Sequence, residues 1–264
     1  MTVVLPIASP AASRGGRIVA VASGKGGVGK TWCAITLAHA LARSGAHVLL
    51  FDGDLGLANI DIQLGLTPPG DLASVAAGRL TLEAAVLHHD AGFDIIAGCS
   101  GSGALASLET ARLEALLAAL RSVAPRYDLL LLDLGAGLAG TIRRMTAFAD
   151  TLLVVVTEEP TSLTDAYAVL KLHAADTAAA PKPAPSLVLV NQAGSRAAGE
   201  RTFATLARVA DRFLGRAPEL AGVIRRDDRV RDAIRRQELL LTRHPACIAA
   251  QDVTETAAVL RSAA

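Results

Sequence analysis

The chain has 264 residues, enough for one large or two small domains and for a sizeable buried core. Its formal net charge of +1 excludes a global pull toward nucleic acid or anionic membrane. Three cysteines without paired spacing exclude a disulfide framework and a zinc site, and fit a reducing, cytoplasmic setting; aromatics, at 3%, are scarce beside abundant alanine.

In chain order, Met1–Gly16 is rich in Ala, Ser and Pro and lacks a basic region or a long apolar run. It reads as a flexible tail, not a signal peptide. Residues 17–264 read as a single domain. Arg17–Ala22 is apolar and β-branched, as a buried strand should be. Ser23–Thr31 follows, and within it Gly24, Gly29, Lys30 and Thr31 fit G-x-x-x-x-G-K-[ST]. Lys30–Arg43 has helical periodicity. Strand, glycine loop and helix in this order predict a phosphate-binding loop. The N–H groups of Gly24, Lys25, Gly26, Gly27, Val28 and Gly29 would point at phosphates beside a helix N-terminus. Lys30 would reach the β- and γ-phosphates, and the Thr31 hydroxyl would sit on Mg²⁺. Only four lysines stand against 22 arginines, and two of them, Lys25 and Lys30, fall in this loop. A compact ammonium suits a phosphate oxygen in a tight turn. Trp32 follows the loop and is grouped with the nucleotide-binding residues by position; helix packing is the only account the sequence offers for it.

A second strand, His47–Asp52, ends Phe51-Asp52-Gly53-Asp54. A helix over Thr81–Leu87, a strand over Phe93–Ala97 and a helix over Leu108–Val123 come next. The strand Tyr127–Asp133 ends in Leu134-Gly135-Ala136-Gly137. Beyond it come a helix Thr141–Phe148, a strand Thr151–Thr157, a helix Ser162–Ala175, a strand Ser186–Asn191 and a helix Ala197–Leu214. The series closes with a strand Leu220–Ile224, a helix Arg229–Arg236 and a terminal helix within Ile248–Arg261. Alternation with near-continuous apolar strands predicts an α/β fold: a mostly parallel twisted sheet covered by helices on both faces. Ligands bind such sheets at the carboxyl ends of strands. Asp52, Asp54 and Asp133 therefore converge where Mg²⁺ and a γ-phosphate would lie. Asp133, closing an apolar run, is of the Walker-B type. Gly135 and Gly137 would let backbone approach the γ-phosphate and move when it leaves.

With these residues in hand, the chain resembles the MinD/ParA group of P-loop ATPases. Gly24-Lys25-Gly26-Gly27-Val28-Gly29-Lys30-Thr31 matches the group's deviant Walker A motif, whose signature lysine falls at Lys25. Asp52-Gly53-Asp54-Leu55-Gly56-Leu57-Ala58-Asn59-Ile60-Asp61 and Glu159-Pro160-Thr161-Ser162-Leu163-Thr164-Asp165-Ala166-Tyr167 are similar to segments of its FlhG/FleN branch, the regulators of flagellar number. The resemblance runs from about Arg17 to Pro245. It implies a P-loop fold and a slow, dimer-dependent ATP hydrolase using ATP/ADP and Mg²⁺. Lys25 would cross to the partner's phosphates, with Lys25, Lys30 and Asp54 catalytic. Thr31, Asp52 and Asp133 would organise the metal, Asn59 would be a switch residue, and Asn191 would read adenine. The implied function is control of flagellar number and placement by an ATP-bound homodimer in the bacterial cytoplasm, with recruitment to a cell pole left open.

The implied partners are a flagellar transcriptional activator, flagellar switch proteins and an FlhF-type GTPase. Met1–Gly16 shows no Asp-Gln-Ala-type activator motif, which weighs against the last. The terminal segment carries Asp252, Glu255 and alanines where a membrane-cycling relative has a basic amphipathic helix, so membrane binding is expected to be weak or absent. Arg225–Glu238 is arginine-rich, but the i,i+4 spacings Asp227/Arg231 and Asp232/Arg236 favour a solvated, salt-bridged face over DNA binding. Two other readings stay open: a ParA/MinD-like positioning ATPase on DNA or membrane, and a metabolic ATP-using enzyme similar to dethiobiotin synthetase. His88-His89-Asp90 reads as a surface turn and not a metal site, and an iron–sulfur role for Cys99 is discounted.

Overall fold

Val, Ile and Leu crowd the strand segments on both alternating faces, so each strand can be stable only with helices above and below it. A computed structural model, which describes residues 16–68, 70, 72–98, 109–181 and 184–262, places them that way. The strands are β1 (Arg17–Ser23), β2 (Val48–Gly53), β3 (Val86–His89), β4 (Phe93–Ile96), β5 (Leu129–Ala136), β6 (Thr151–Val156), β7 (Ser186–Ala193) and β8 (Glu219–Arg225). They form one 8-stranded sheet in the order β3-β4-β2-β5-β1-β6-β7-β8. Only β3 runs antiparallel, against β4. The expected tail over 1–16 lies outside the described residues except for Gly16, as does Cys99.

The helices are α1 (Lys30–Arg43), α2 (Ile60–Leu64), α3 (Leu72–Ala76), α4 (Thr110–Val123), α5 (Gly140–Phe148), α6 (Pro160–Asp176), α7 (Arg196–Leu214), α8 (Asp228–Arg235), α9 (Leu240–Arg243) and α10 (Ile248–Ser262). Alternate strand residues feed two cores. Val19, Val21 and Leu131 pack with α1, α9 and α10. Ile18, Ala20, Ala22, Leu130 and Leu132 pack with α4, α5, α6 and α7. The side-chain period of two in a strand separates the two sets.

One expectation is corrected. Thr81–Leu87 is not a helix: a single 3₁₀ turn at Glu83–Ala85 leads straight into β3. Leu82 and Ala85 are buried against the sheet, and Val86–His89 completes its edge. Tertiary pairing overrides the helical propensity of Leu, Glu and Ala. His88 and His89 accordingly lie on a strand, with His88 Nδ1 2.8 Å from Asp94 Oδ1. No group of His, Cys, Asp and Glu fit for a metal occurs among the described residues. No helix among them is long and apolar enough to cross a membrane. Ala249, Ala250, Val253, Ala257 and Leu260 of α10 are buried in the core, while Ile248 and Val259 are exposed.

Candidate nucleotide site

The glycine loop joins β1 to α1 in the middle of the sheet. Ser23 Oγ donates to Lys25 O (2.9 Å), and the N–H of Gly137 donates to Ser23 O (3.0 Å). Two glycines are required by contact. A Cβ on Gly24 would lie 2.4 Å from the Asp165 carbonyl on α6. One on Gly29, at φ 84, would lie 2.5 Å from Asn191 Nδ2. Gly29 is also the N-cap of α1 and supplies no side-chain cap, so the first-turn N–H groups stay open to an anion.

Lys30 is 8% exposed, and its Nζ lies 2.9 Å from Asp133 Oδ1. Burial raises the Asp133 pKa, opposed by Lys30 and by the Thr31 hydroxyl. Loop lysine and Walker-B aspartate therefore form one buried pair, with the half-buried loop threonine beside it. Asp52 stands beside Asp133 in the β2–β5 register. Burial raises its pKa to about 7, and the Asp133 charge adds to the rise. Both its oxygens are engaged by backbone: Oδ1 accepts from Asp54 N–H (3.3 Å), Oδ2 from Asn59 N–H (3.0 Å) and Ile60 N–H (3.1 Å). Asp52 thus folds the loop after β2.

A cavity of about 670 Å³ is lined by the glycine loop together with Asp54, Asn59 and Gly135. Asp54 Oδ1 accepts from Gly56 N–H (3.2 Å) and Leu57 N–H (2.9 Å), which leaves Oδ2 available. A Cβ on Gly135 would lie 3.3 Å from Asp54 Oδ1, so the loops after β2 and β5 are in contact. Asn59 accepts from Gln63 Nε2 (3.0 Å) and donates to Leu57 O (3.2 Å). Leu57 and Leu138, in these two loops, expose large apolar side chains.

Lys25 parts company with Lys30. Its Nζ lies 2.5 Å from Glu159 Oε2 and 3.2 Å from Thr161 Oγ1, at the start of α6. On the other side of the loop a second cavity, about 350 Å³, is lined by Trp32, Asn191, Gln192 and Arg225. Asn191 Nδ2 donates to Val28 O (2.8 Å), so one N–H and Oδ1 remain for a ligand. Gln192 holds φ 57, a strained value for a non-glycine residue, at the edge of this cavity.

The residues present fit a magnesium-bound nucleoside triphosphate. A glycine cradle with uncapped N–H groups faces the larger cavity, a hydroxyl–carboxylate pair suits Mg²⁺, and a base-sized cavity adjoins. Thr31, Lys30, Asp133, Asp54 and the loop glycines come together as expected. Trp32 acquires a place on the base side that its sequence position did not explain. Sequence reasoning assigned no role to Glu159, Thr161, Gln192 or Asp252. Glu159 and Thr161 lay in a segment noted only for its similarity, and the others carry no local signal. In the arginine-rich stretch, Asp232–Arg236 forms as expected (3.1 Å), but Asp227 caps α8 through Arg229 N–H and does not pair with Arg231.

The family model for the CobQ/CobB/MinD/ParA nucleotide binding domain matches residues 19–241. Antiactivator FleN of Pseudomonas aeruginosa is 39% identical over 229 residues, covering 87% of this chain and 80% of its own. Among solved structures, the cell division ATPase MinD of Pyrococcus furiosus superposes with a TM-score of 0.79 at 24% identity, covering 94% of this chain and 100% of its own. MinD of Pyrococcus horikoshii, complexed with Mg-ADP, gives 0.75 at 25% identity, over 91% of this chain and 94% of its own.

Proposed function

This chain belongs to the CobQ/CobB/MinD/ParA family of nucleotide-binding domains, and from that membership we propose that it is an ATP-hydrolysing regulator of flagellar number and placement. The reading takes residues 17–264 as one domain. The observation that carries it is the division of labour between the two loop lysines: Lys30 is buried on Asp133, while Lys25 stands at the rim. A lysine at the rim supports a site that a second copy completes.

In this mechanism Lys30 and the open first turn of α1 hold the phosphates. Thr31 and Asp133 would hold Mg²⁺, which when bound neutralises charge on the β- and γ-phosphates. Asp52 stiffens the loop that carries Asp54 and Asn59. Asp54 Oδ2 orients the attacking water and accepts its proton. The water oxygen bonds to the γ-phosphorus as the bond to the β,γ-bridging oxygen breaks and ADP leaves. Lys25 of a second copy neutralises charge developing at the transferred group, which couples turnover to dimerisation. Asn191 reads the adenine edge. Gly135 and Gly137 relax after phosphate release, and with them the exposed Leu57 and Leu138. The identity to an antiactivator supports a flagellar transcriptional activator as partner of the ATP-bound dimer.

DNA binding is disfavoured because four arginines of the β8–α9 region are paired: Arg225 with Asp252, Arg229 with Asp227, Arg236 and Arg243 with Asp232. On α10, Ala249, Ala250, Val253, Ala257 and Leu260 are buried, which leaves Ile248 and Val259 as its large exposed apolar side chains, a sparse surface for a membrane. The test is capture of cell proteins on the Asp54→Ala variant with ATP. Recovery of flagellar regulators supports the proposal. Recovery of DNA alone, with binding that falls steeply with salt, replaces it with a DNA-positioning role.

A further inference from the structure

We propose that Asp252, on the C-terminal helix, is a positioning residue for the nucleobase: it fixes the Arg225 guanidinium as a wall of the cavity that also holds Trp32 and Asn191. The inference rests on the nucleotide reading above and assigns it a determinant of purine affinity that never touches the nucleotide.

Asp252 is 1% exposed and belongs to α10. Its Oδ2 accepts from the Arg225 backbone N–H (2.9 Å) and from Nε (2.9 Å), and its Oδ1 accepts from Nη2 (2.7 Å). One carboxylate therefore fixes both the end of β8 and the plane of the side chain that leaves it. The fork geometry is specific to arginine, and lysine cannot reproduce it. A second guanidinium, Arg196 Nη2, stands 3.3 Å from Oδ1 and 2.5 Å from Glu255 Oε2, which compensates the buried charge from the other side. Helix and strand are in direct register as well. A Cβ on Gly222 of β8 would lie 2.1 Å from Oγ1 of Thr256, one helical turn after Asp252. Asp252 cannot withdraw without moving β8.

The consequence falls on the base cavity. A free arginine side chain at a cavity wall loses rotamer entropy when a ligand orders it. Here that ordering is complete before any ligand arrives, so a planar cation faces the cavity ready-made. Such a wall favours the electron-rich face of a purine. Asn191 offers one acceptor and one donor to the base edge from the same cavity.

The test compares two ligands, ADP, which has a base, and inorganic tripolyphosphate, which has none. Binding to the full chain is measured by calorimetry. Asp252→Asn keeps the shape but offers a single oxygen. It should weaken ADP binding about tenfold or more while tripolyphosphate stays within about twofold of wild type. In turnover, KM for ATP should rise by the same factor with kcat unchanged. Arg225→Leu should show the same split, and the double variant should be no worse than Arg225→Leu alone. Equal weakening of both ligands, unchanged ADP binding, or additive losses would overturn the proposal. If Asp252→Asn does not fold, Arg225→Leu and Arg225→Lys carry the same comparison, because the Arg225 side chain is 30% exposed. A wild-type protein that binds neither ligand would overturn the phosphate-loop reading and this inference together. Loss of the ligand split alone overturns only this one.

Discussion

Lys25 reaches Glu159 and Thr161 of its own chain, with Nζ 2.5 Å from Glu159 Oε2. Glu159 is 64% exposed and Lys25 33% exposed, so the pair is a screened surface contact worth at most about 1 kcal/mol. It is strong enough to park the lysine and weak enough for a triphosphate to draw it away. Lys25→Ala should abolish ATP-induced dimerisation while nucleotide binding persists. Glu159→Gln should lower the ATP concentration needed for dimerisation by up to about fivefold, as followed by analytical ultracentrifugation. A variant that dimerises less readily would show that Glu159 serves the dimer instead.

Asp54 has one oxygen committed to the loop and one available. Asp54→Ala should reduce phosphate release by about 100-fold or more and leave a long-lived ATP dimer. Wild-type turnover in single-turnover assays would remove Asp54 from its assigned role.

Lys30 and Asp133 are buried together, so removing the ammonium leaves a carboxylate without its partner. Lys30→Met should destabilise the nucleotide-free protein by about 3–5 kcal/mol and weaken ATP binding. Denaturant unfolding and calorimetry separate the two effects. Full ATP affinity in this variant would contradict the loop assignment.

Acid sensitivity should come partly from His39, buried in α1 near the Phe93 ring. Burial is the main cause of its depressed pKa, about 4, and Arg43 and His89 push in the same direction. The folded state thus prefers the neutral ring. Its contribution is fully present above the unfolded pKa, about 6.5, and is lost as pH falls through about 4. Relative to His39→Leu, the wild-type protein should lose about 3 kcal/mol between those values. Parallel stability–pH curves for the two proteins would refute it.

Much of this architecture could be read from the chain because its signals are local. Seven of the strands and the glycine loop carry their own apolar runs or spacing, and they fall within a few residues of expectation. The edge strand β3 was missed because Leu82-Glu83-Ala84-Ala85 favours a helix, whereas it makes only a 3₁₀ turn and the four residues that follow, Val86–His89, pair with β4. The site divides in the same way. Lys30, Thr31, Asp54 and Asp133 sit at strand and loop ends that a motif can mark. Glu159 and Asp252 act on Lys25 and Arg225 from 134 and 27 residues away, and nothing in a linear pattern pairs them.

Gly24 has no clearance from the Asp165 carbonyl, so the first residue of the phosphate loop rests on the backbone of α6. Packed interiors transmit displacement instead of absorbing it. A protein that grips the outer face of α6, where Thr164 is exposed and Asp165 and Tyr167 are half-buried, would thereby touch catalysis from a distance. Loading that helix would tilt the grip on the terminal phosphates, with no need for the visitor to enter the cleft.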